Sequence, residues 1–184
     1  YGIGCFSKEA YDFVDSLSSA GQSCWQILPL GPTSYGDSPY QSFSTFAGNP
    51  YFISLEDLVS EVVLTKKECD SVDFGCDESH VDYEKIYKGR FGLLRKAYER
   101  SNISENPDFV RFQQEEGYWL KDYALFMAVK ERFGGVAWGE WAEDIRNRWQ
   151  NALDYYRREL YFDIEFQEYM QFKFRQQWDS LKAY

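Results

Sequence analysis

Apolar residues recur along this chain mainly at helical spacing, and the one long stretch that breaks the rhythm is studded with prolines. Ala10, Phe13, Val14 and Leu17 fall three and four apart, the stripe that a core-facing helix requires. Ser7 stands before them as an N-cap, Phe6 and Tyr11 are spaced as a hydrophobic staple, and Gly21 ends the run. From Ser23 to Leu30 the pattern changes. Trp25, Ile27, Leu28 and Leu30 make a short, mostly apolar segment, which predicts a strand of a parallel sheet buried on both faces. Helix, buried strand and a long loop at the strand's C-terminal end is the order of an α/β chain winding into a (β/α) barrel, whose active face lies at that end.

Beyond Tyr51 the rhythm is helical again. Ser54-Leu-Glu-Asp57 and Thr65-Lys-Lys-Glu68 have the form of capping boxes, and the acidic interval from Cys69 to Ser79 reads as a loop. Asp82 to about Arg100 sets Tyr83, Ile86, Tyr87, Leu94, Ala97 and Tyr98 on one broad apolar face. Asn106-Pro107 opens a further helix with proline at the favoured first position. Glu116 to Phe133 is a strong helix with Tyr123, Phe126, Met127 and Lys130 in register, stopped by Gly134-Gly135, and Trp138 and Trp141 anchor a turn. From about Asn151 the chain is helical to its end, with a bend near Leu160.

The interruption is Leu28-Pro-Leu-Gly-Pro-Thr-Ser-Tyr-Gly-Asp-Ser-Pro-Tyr-Gln-Ser-Phe-Ser-Thr-Phe-Ala-Gly-Asn-Pro-Tyr51. It holds four of the five prolines. Each fixes φ and removes a backbone donor, so neither helix nor central strand can run through. A stiff loop of this length is uncommon as a mere connection. It sets flat aromatic faces (Tyr35, Tyr40, Phe43, Phe46, Tyr51) beside short hydrogen-bonding groups (Asp37, Ser38, Gln41, Ser42, Asn49), the combination that suits a sugar. A rigid structural loop with buried aromatics is the other reading.

Composition narrows the partners. The 184 residues carry a formal net charge of −10, which disfavours nucleic acid and anionic membranes, since both reward a basic footprint; a neutral polysaccharide is indifferent to it. No apolar run approaches the roughly 18 residues of a membrane helix. Aromatics make up 20 % of the chain, most of them for the core. Cys5, Cys24, Cys69 and Cys76 lack secretory spacing and read as free thiols of a reducing, cytoplasmic compartment. Cys69, Cys76 and His80 fit no standard zinc pattern, and no metal or organic cofactor is implied. The chain opens without Met, as though mid-loop, and stops inside a helical pattern without a cap, so it reads as part of something longer.

Catalytic groups are scarce. Retaining glycosidic chemistry needs two carboxylates about 5 to 5.5 Å apart, and Asp37 in the loop has no obvious partner. The sole histidine, His80, rules out a Ser/His/Asp set of any plausibility. Taken alone, the chain is not a self-sufficient enzyme.

The Leu28–Tyr51 segment resembles the signature of the 4-α-glucanotransferases, the amylomaltases or disproportionating enzymes of glycoside hydrolase family 77. The similarity continues at Tyr1-Gly-Ile-Gly4, Gly21-Gln-Ser-Cys-Trp-Gln-Ile-Leu-Pro-Leu30, Val81-Asp-Tyr83, Trp119-Leu-Lys-Asp-Tyr-Ala-Leu-Phe-Met127 and Arg175-Gln-Gln-Trp178. It spans the whole chain, more weakly between Val59 and His80. The resemblance implies the start of an interrupted (β/α)8 barrel with a mainly α-helical insertion after the second strand. Residues 1–52 would be the barrel start, with helix 1, strand 2 and the substrate loop. Residues 53–158 would be the insertion and 159–184 the returning barrel helix, with the rest of the barrel absent.

The implied activity is transfer of an α-1,4-glucan segment to the 4-hydroxyl of an acceptor glucan or glucose by a retaining double displacement. The substrates would be maltooligosaccharides, amylose and glycogen-derived chains. In the family the nucleophilic Asp, the acid/base Glu and a second, stabilising Asp lie on later strands, outside this chain. What carries over is substrate binding: Tyr40, in Ser38-Pro-Tyr-Gln41, against the sugar undergoing transfer, with Ser38, Asp37 and Gln41 toward its hydroxyls. A second, remote glucan groove would use Tyr35, in Thr33-Ser-Tyr-Gly36, and Tyr87, shortly after Val81-Asp-Tyr83; helical spacing alone makes Tyr87 a core residue. The rival from another class is a non-catalytic starch- or maltooligosaccharide-binding module. A helical protein-interaction domain is a third reading, for which the Pro/Tyr loop has no use.

Overall fold

The computed structural model describes residues 1–33, 36–75, 77 and 79–184. In chain order the helices are α1 (Lys8–Ser19), α2 (Leu55–Ser60), α3 (Lys66–Asp70), α4 (Tyr83–Arg100), α5 (Pro107–Glu115), α6 (Gly117–Arg132), α7 (Glu143–Arg146), α8 (Gln150–Glu159) and α9 (Tyr161–Ala183). Short 3-10 turns occupy Pro50–Phe52, Ile103–Glu105 and Trp138–Glu140. They pack as two units, one of Tyr1–Ile103 with Met170–Tyr184 and one of Ser104–Tyr169.

The expected strand at Ser23–Leu30 does not form. Among the described residues the only sheet-like pairing is an isolated antiparallel bridge between Thr33 and Ser42. Residues 22–30 run without regular structure, and Trp25, Ile27 and Leu28 are exposed instead of buried. The physical reason is that a parallel strand is defined by neighbours on its edges and helices on its faces, and the described residues supply neither. Trp25 instead meets Phe13 of α1, ring centroids 5.1 Å apart.

In the first unit α1 begins after Ser7, but the staple does not close. Phe6 turns away from Tyr11 and packs on Phe174 and Trp178, at 5.2 and 5.5 Å between centroids, while its N–H donates to Phe52 O at 2.9 Å. Ser7 Oγ donates to Glu9 in place of capping. Gly21 ends the helix with φ +73°, a value that favours glycine. Of the two expected capping boxes one forms whole: Thr65 and Glu68 complete a reciprocal box, whereas Ser54 Oγ accepts from Asp57 N at 3.1 Å but Ser54 N donates to Gln177 Oε1 instead of Asp57.

The buried face of α4 consists of Ile86, Arg90, Leu93, Leu94, Ala97 and Tyr98. It packs in a unit whose core includes Ile53, Leu55, Leu58 and Leu64. Arg90 is fully buried and donates to the carbonyls of Tyr1 and Ile53, so it ties the first residue to the loop's end. Tyr83 and Tyr87, expected on the buried face, stand at its exposed margin.

In the second unit Asn106 caps α5 by accepting from Asp108 N and Phe109 N, with Pro107 at the first position. Gly134 and Gly135, at φ +70° and +80°, end α6 as expected. Leu125, Ala128, Val129, Trp141, Ile145, Ala152, Leu153 and Leu160 form one cluster across α6, α7 and α8. Leu160 falls at the break between α8 and α9. The buried carboxylates of α9 in this unit are engaged: Glu165 accepts from Ser104 Oγ at 3.4 Å, and Glu168 from Gln113 Nε2 at 2.6 Å. No helix among the described residues is long and apolar enough to cross a membrane.

Glu68 receives both terminal nitrogens of Arg100, at 2.8 and 2.9 Å, as well as Thr65. The Arg100 hydrogen bonds, then those of Thr65, hold its carboxyl down at about 2 against an ordinary 4.5. A depressed carboxyl stabilises the fold fully above its unfolded value and loses that contribution as pH falls through the folded one. The stability gap between the native chain and Glu68→Gln should therefore be constant at neutral pH and close as pH drops from about 4.5 toward about 2. Urea unfolding across that range checks it; a pH-independent gap would contradict the assignment.

Candidate functional site: an aromatic loop clamped to a helix

The Pro/Tyr segment is held by backbone and side-chain hydrogen bonds together. Leu30 O accepts from Asn49 N at 2.8 Å and closes the loop at its base. Inside it, Ser44 Oγ accepts from Phe46 N and Ala47 N, and Ser42 Oγ donates to Ser44 O at 2.8 Å. Gly31 lies against Ser42, where a Cβ would come 2.7 Å from Oγ. Asn49 Oδ1 caps the turn at Pro50–Phe52 through Tyr51 N, at 3.0 Å.

Two amides of α9 anchor this segment from below. Gln171 accepts from Gly48 N at 2.8 Å and donates to Gly48 O at 3.0 Å. Gln177 repeats the arrangement at Ser54, accepting from N at 2.7 Å and donating to O at 3.3 Å. Each glutamine pairs both polar groups of one buried residue, as a neighbouring strand would. Gly48 must be glycine, since a Cβ would fall within the Phe174 ring. Sequence reasoning missed these glutamines. The available signal was Gln171 and Gln177 among Phe172, Phe174 and Trp178, amides embedded in an aromatic stretch.

Above the clamp lies an open cavity of about 460 Å³, bounded by Pro29, Gly31, Tyr40, Phe46, Phe174 and Trp178 among others. Tyr40 borders it and is 74 % exposed. Among the described residues none of those bounding the cavity is a carboxylate. The other sequence candidates divide. Ser38 accepts from Tyr40 N through Oγ and from Gln41 N through its carbonyl, at 3.4 and 3.1 Å, so it shapes the turn that presents Tyr40. Asp37 has φ +52°, a left-handed conformation that Asp tolerates, and accepts from Thr33 Oγ1 at 3.3 Å. Gln41 is exposed. Tyr35 lies outside the described residues.

Tyr87 belongs to a second aromatic group. Its ring is 4.9 Å from Phe91, and Tyr51 sits 6.1 Å from Phe91 and 6.2 Å from Tyr83. Tyr87 is 56 % exposed. Burial first, then the charge of Asp37 and the neighbouring phenols of Tyr87 and Tyr83, pushes the Tyr51 hydroxyl up to about 12. Among the described residues Cys5, Cys24 and Cys69 are free thiols; Cys76 lies outside them, and so does one third of the group that it would form with Cys69 and His80.

A rigid aromatic loop over an open, uncharged cavity suits a ligand with flat apolar faces and a hydroxylated edge. The family described as 4-alpha-glucanotransferase, glycoside hydrolase family 77, matches residues 1–184, and the chain belongs to it. It is 50 % identical over 186 residues to the 4-alpha-glucanotransferase of Streptococcus pneumoniae and 45 % identical over 184 residues to that of Clostridium butyricum. In both cases all of this chain aligns, with 37 % and 38 % of the relative. Among solved structures, an amylomaltase from Streptococcus agalactiae in complex with acarbose superposes with a TM-score of 0.94 at 43 % identity, over 99 % of this chain and 37 % of that one. The chain thus spans somewhat over a third of the length of these relatives.

Removing the Gln171 amide leaves both backbone groups of Gly48 buried without partners. Gln171→Ala should therefore destabilise the first unit by about 2–4 kcal/mol, measured by urea unfolding. It should also increase amide exchange at Ala47 and Gly48; unaltered exchange there would show that the clamp does not hold the loop.

Proposed function

We propose that this chain supplies the substrate-gripping part of a 4-α-glucanotransferase. The whole enzyme cleaves an α-1,4 bond of a donor glucan and passes the segment to the 4-hydroxyl of another glucan or of glucose. A nucleophilic carboxylate displaces the departing 4-oxygen at C1 while an acid protonates that oxygen. The same group, now a base, then takes the proton of the acceptor 4-hydroxyl as its oxygen displaces the carboxylate. These carboxylates lie beyond this chain in the reading, and no cofactor takes part. Residues 1–52 then start the interrupted (β/α)8 barrel, 53–158 form the insertion and 159–184 return to it. The setting is a reducing cytoplasm.

One observation carries the reading: Tyr40, the tyrosine of Ser38-Pro-Tyr-Gln41, stands exposed at the rim of the loop cavity while the loop beneath it is clamped. A phenol ring in that position stacks on a pyranose and offers a hydroxyl to it. Holding the ring in place as it flattens toward the transition state is worth most when the support is rigid. Asp37, Ser38 and Gln41 would contribute hydroxyl contacts, Ser38 chiefly by shaping the turn. The remote groove of Tyr87 and Tyr35 would retain a long glucan and raise the local concentration of its far end as acceptor. Exclusion of water by the walls around a bound acceptor favours transfer over hydrolysis.

In the intact protein, Tyr40→Ala should lower kcat/KM for maltotriose transfer by about tenfold or more. Tyr40→Phe should lower it by less, and neither should shift the unfolding midpoint, because the side chain is exposed. Undiminished turnover in both variants would refute the cleft assignment. Tyr87→Ala should impair transfer from amylose more than from maltotriose; equal losses would count against a remote groove.

A further inference from the structure

Gln171 and Gln177 make matched contacts, but only one of them meets the wall of the loop cavity. The consecutive residues Ser44, Thr45, Phe46, Ala47 and Gly48 all bound that cavity. Gly48 is the residue that Gln171 holds, at 2.8 Å to its N–H and 3.0 Å to its carbonyl. Ser54, the partner of Gln177, is not among the described residues around the cavity; it caps α2 instead. Both amides are buried, at 2 % and 5 % exposure, so neither backbone partner can fall back on water without cost.

From Gly48 a run of hydrogen bonds leads back to Tyr40. Ala47 N and Phe46 N, next in line, donate to Ser44 Oγ at 3.1 and 3.3 Å. Ser44 is joined to Ser42 twice: Ser42 Oγ donates to Ser44 O at 2.8 Å and accepts from Ser44 N at 3.3 Å. Ser42 bridges to Thr33, whose Oγ1 donates to Asp37 at 3.3 Å. Tyr40 N and Gln41 N then donate to Ser38, at Oγ and O. The origin of this run is fixed in both senses. A Cβ at Gly48 would come 2.2 Å from the Phe174 ring, so that ring stops the segment from moving closer to α9, and Gln171 stops it from moving away.

Tyr40 itself is 74 % exposed, so packing does little to locate its ring and the backbone beneath has to. We infer that Gln171 is a positioning residue for glucan transfer. It bounds no part of the cavity, yet through Gly48 and the serine hydrogen bonds it sets where the Tyr40 ring stands. Gln177, with the same chemistry directed at a helix cap, serves the fold. The consequence for transfer rests on the role proposed for Tyr40; the link from Gln171 to Tyr40 rests on the geometry alone.

The test uses the intact protein and methionine variants, since methionine fills the space of glutamine but offers the backbone no donor and only a weak acceptor. Steady-state transfer from maltotriose is compared in the native protein, Gln171→Met, Gln177→Met, Tyr40→Ala and Gln171→Met combined with Tyr40→Ala, all well below their unfolding midpoints. Gln171→Met should lower kcat by about tenfold and change KM less, because a misplaced ring fails most where the transition state needs it. Added to Tyr40→Ala, it should cost less than about a further twofold, the coupling expected of residues that act by one route. Gln177→Met should lower the unfolding midpoint comparably but reduce kcat less than Gln171→Met does. Losses that multiply in the combined variant, or equal kcat losses in the two methionine variants, overturn the inference. Should Gln171→Met not fold, Gln171→Glu, which keeps the acceptor for Gly48 N, takes its place.

Hydrogen exchange reads the link without activity: the amides of Tyr40 and Gln41 should exchange faster in Gln171→Met and not in Gln177→Met. Unaltered exchange there also overturns the inference. If exchange rises while transfer ignores Tyr40, the proposed function fails and the hold of Gln171 on Tyr40 stands. If transfer depends on Tyr40 but the losses multiply, this inference fails alone.

Discussion

Beyond one isolated bridge, the described residues of the aromatic loop have no ladder to lie in, and its shape depends on two glutamine amides that stand in for one. Gln171 and Gln177 are six residues apart on α9 and engage Gly48 and Ser54, which are also six residues apart. Six residues of helix rise about 9 Å, and the intervening 3-10 turn at Pro50–Phe52 shortens the facing segment so that both ends meet their amides. Each amide offers one donor and one acceptor, so a buried backbone residue is satisfied at both groups without a strand beside it. Phe174 and Trp178, on the same helix, then close the underside of the loop cavity. The position of Tyr40 follows from that support, through the Ser38 turn that presents it.

Much of the helical architecture was legible in the residues. The caps at Ser54, Thr65 and Asn106, the glycine stops at Gly21 and Gly134, and the break at Leu160 all rest on local chemistry, and the structure has them. The misses share a cause. The strand at Ser23–Leu30 needs edges from elsewhere, and an apolar run carries no record of whether they are present. The staple at Phe6 and Tyr11 was a sound local pattern, but Phe6 gains more from Phe174 and Trp178, far along the chain. Tyr87, at the edge of the apolar stripe, is half exposed, while the buried face includes Arg90, a charged residue that donates to the backbone carbonyls of Tyr1 and Ile53.

The candidate site was legible to a different degree. The loop's composition named its aromatic and polar members, and the structure leaves Tyr40 exposed at the border of the loop cavity. Distinguishing Ser38, which spends its acceptors on the turn, from a side chain free to meet a ligand required coordinates. Nothing in the spacing of Gln171 and Gln177 announced that they hold a loop more than a hundred residues away, because a buried amide acquires meaning only from the backbone it faces.

Gly48 carries an implication for how this surface can diverge. The residue has no room for a side chain because the Phe174 ring fills the space, and that same ring bounds the loop cavity. Positions 48 and 174 are thus expected to covary: a bulkier residue at one is admissible only with a smaller one at the other. Any widening of the groove by trimming the aromatic at 174 would free the turn above it, so its breadth and its firmness cannot be tuned independently.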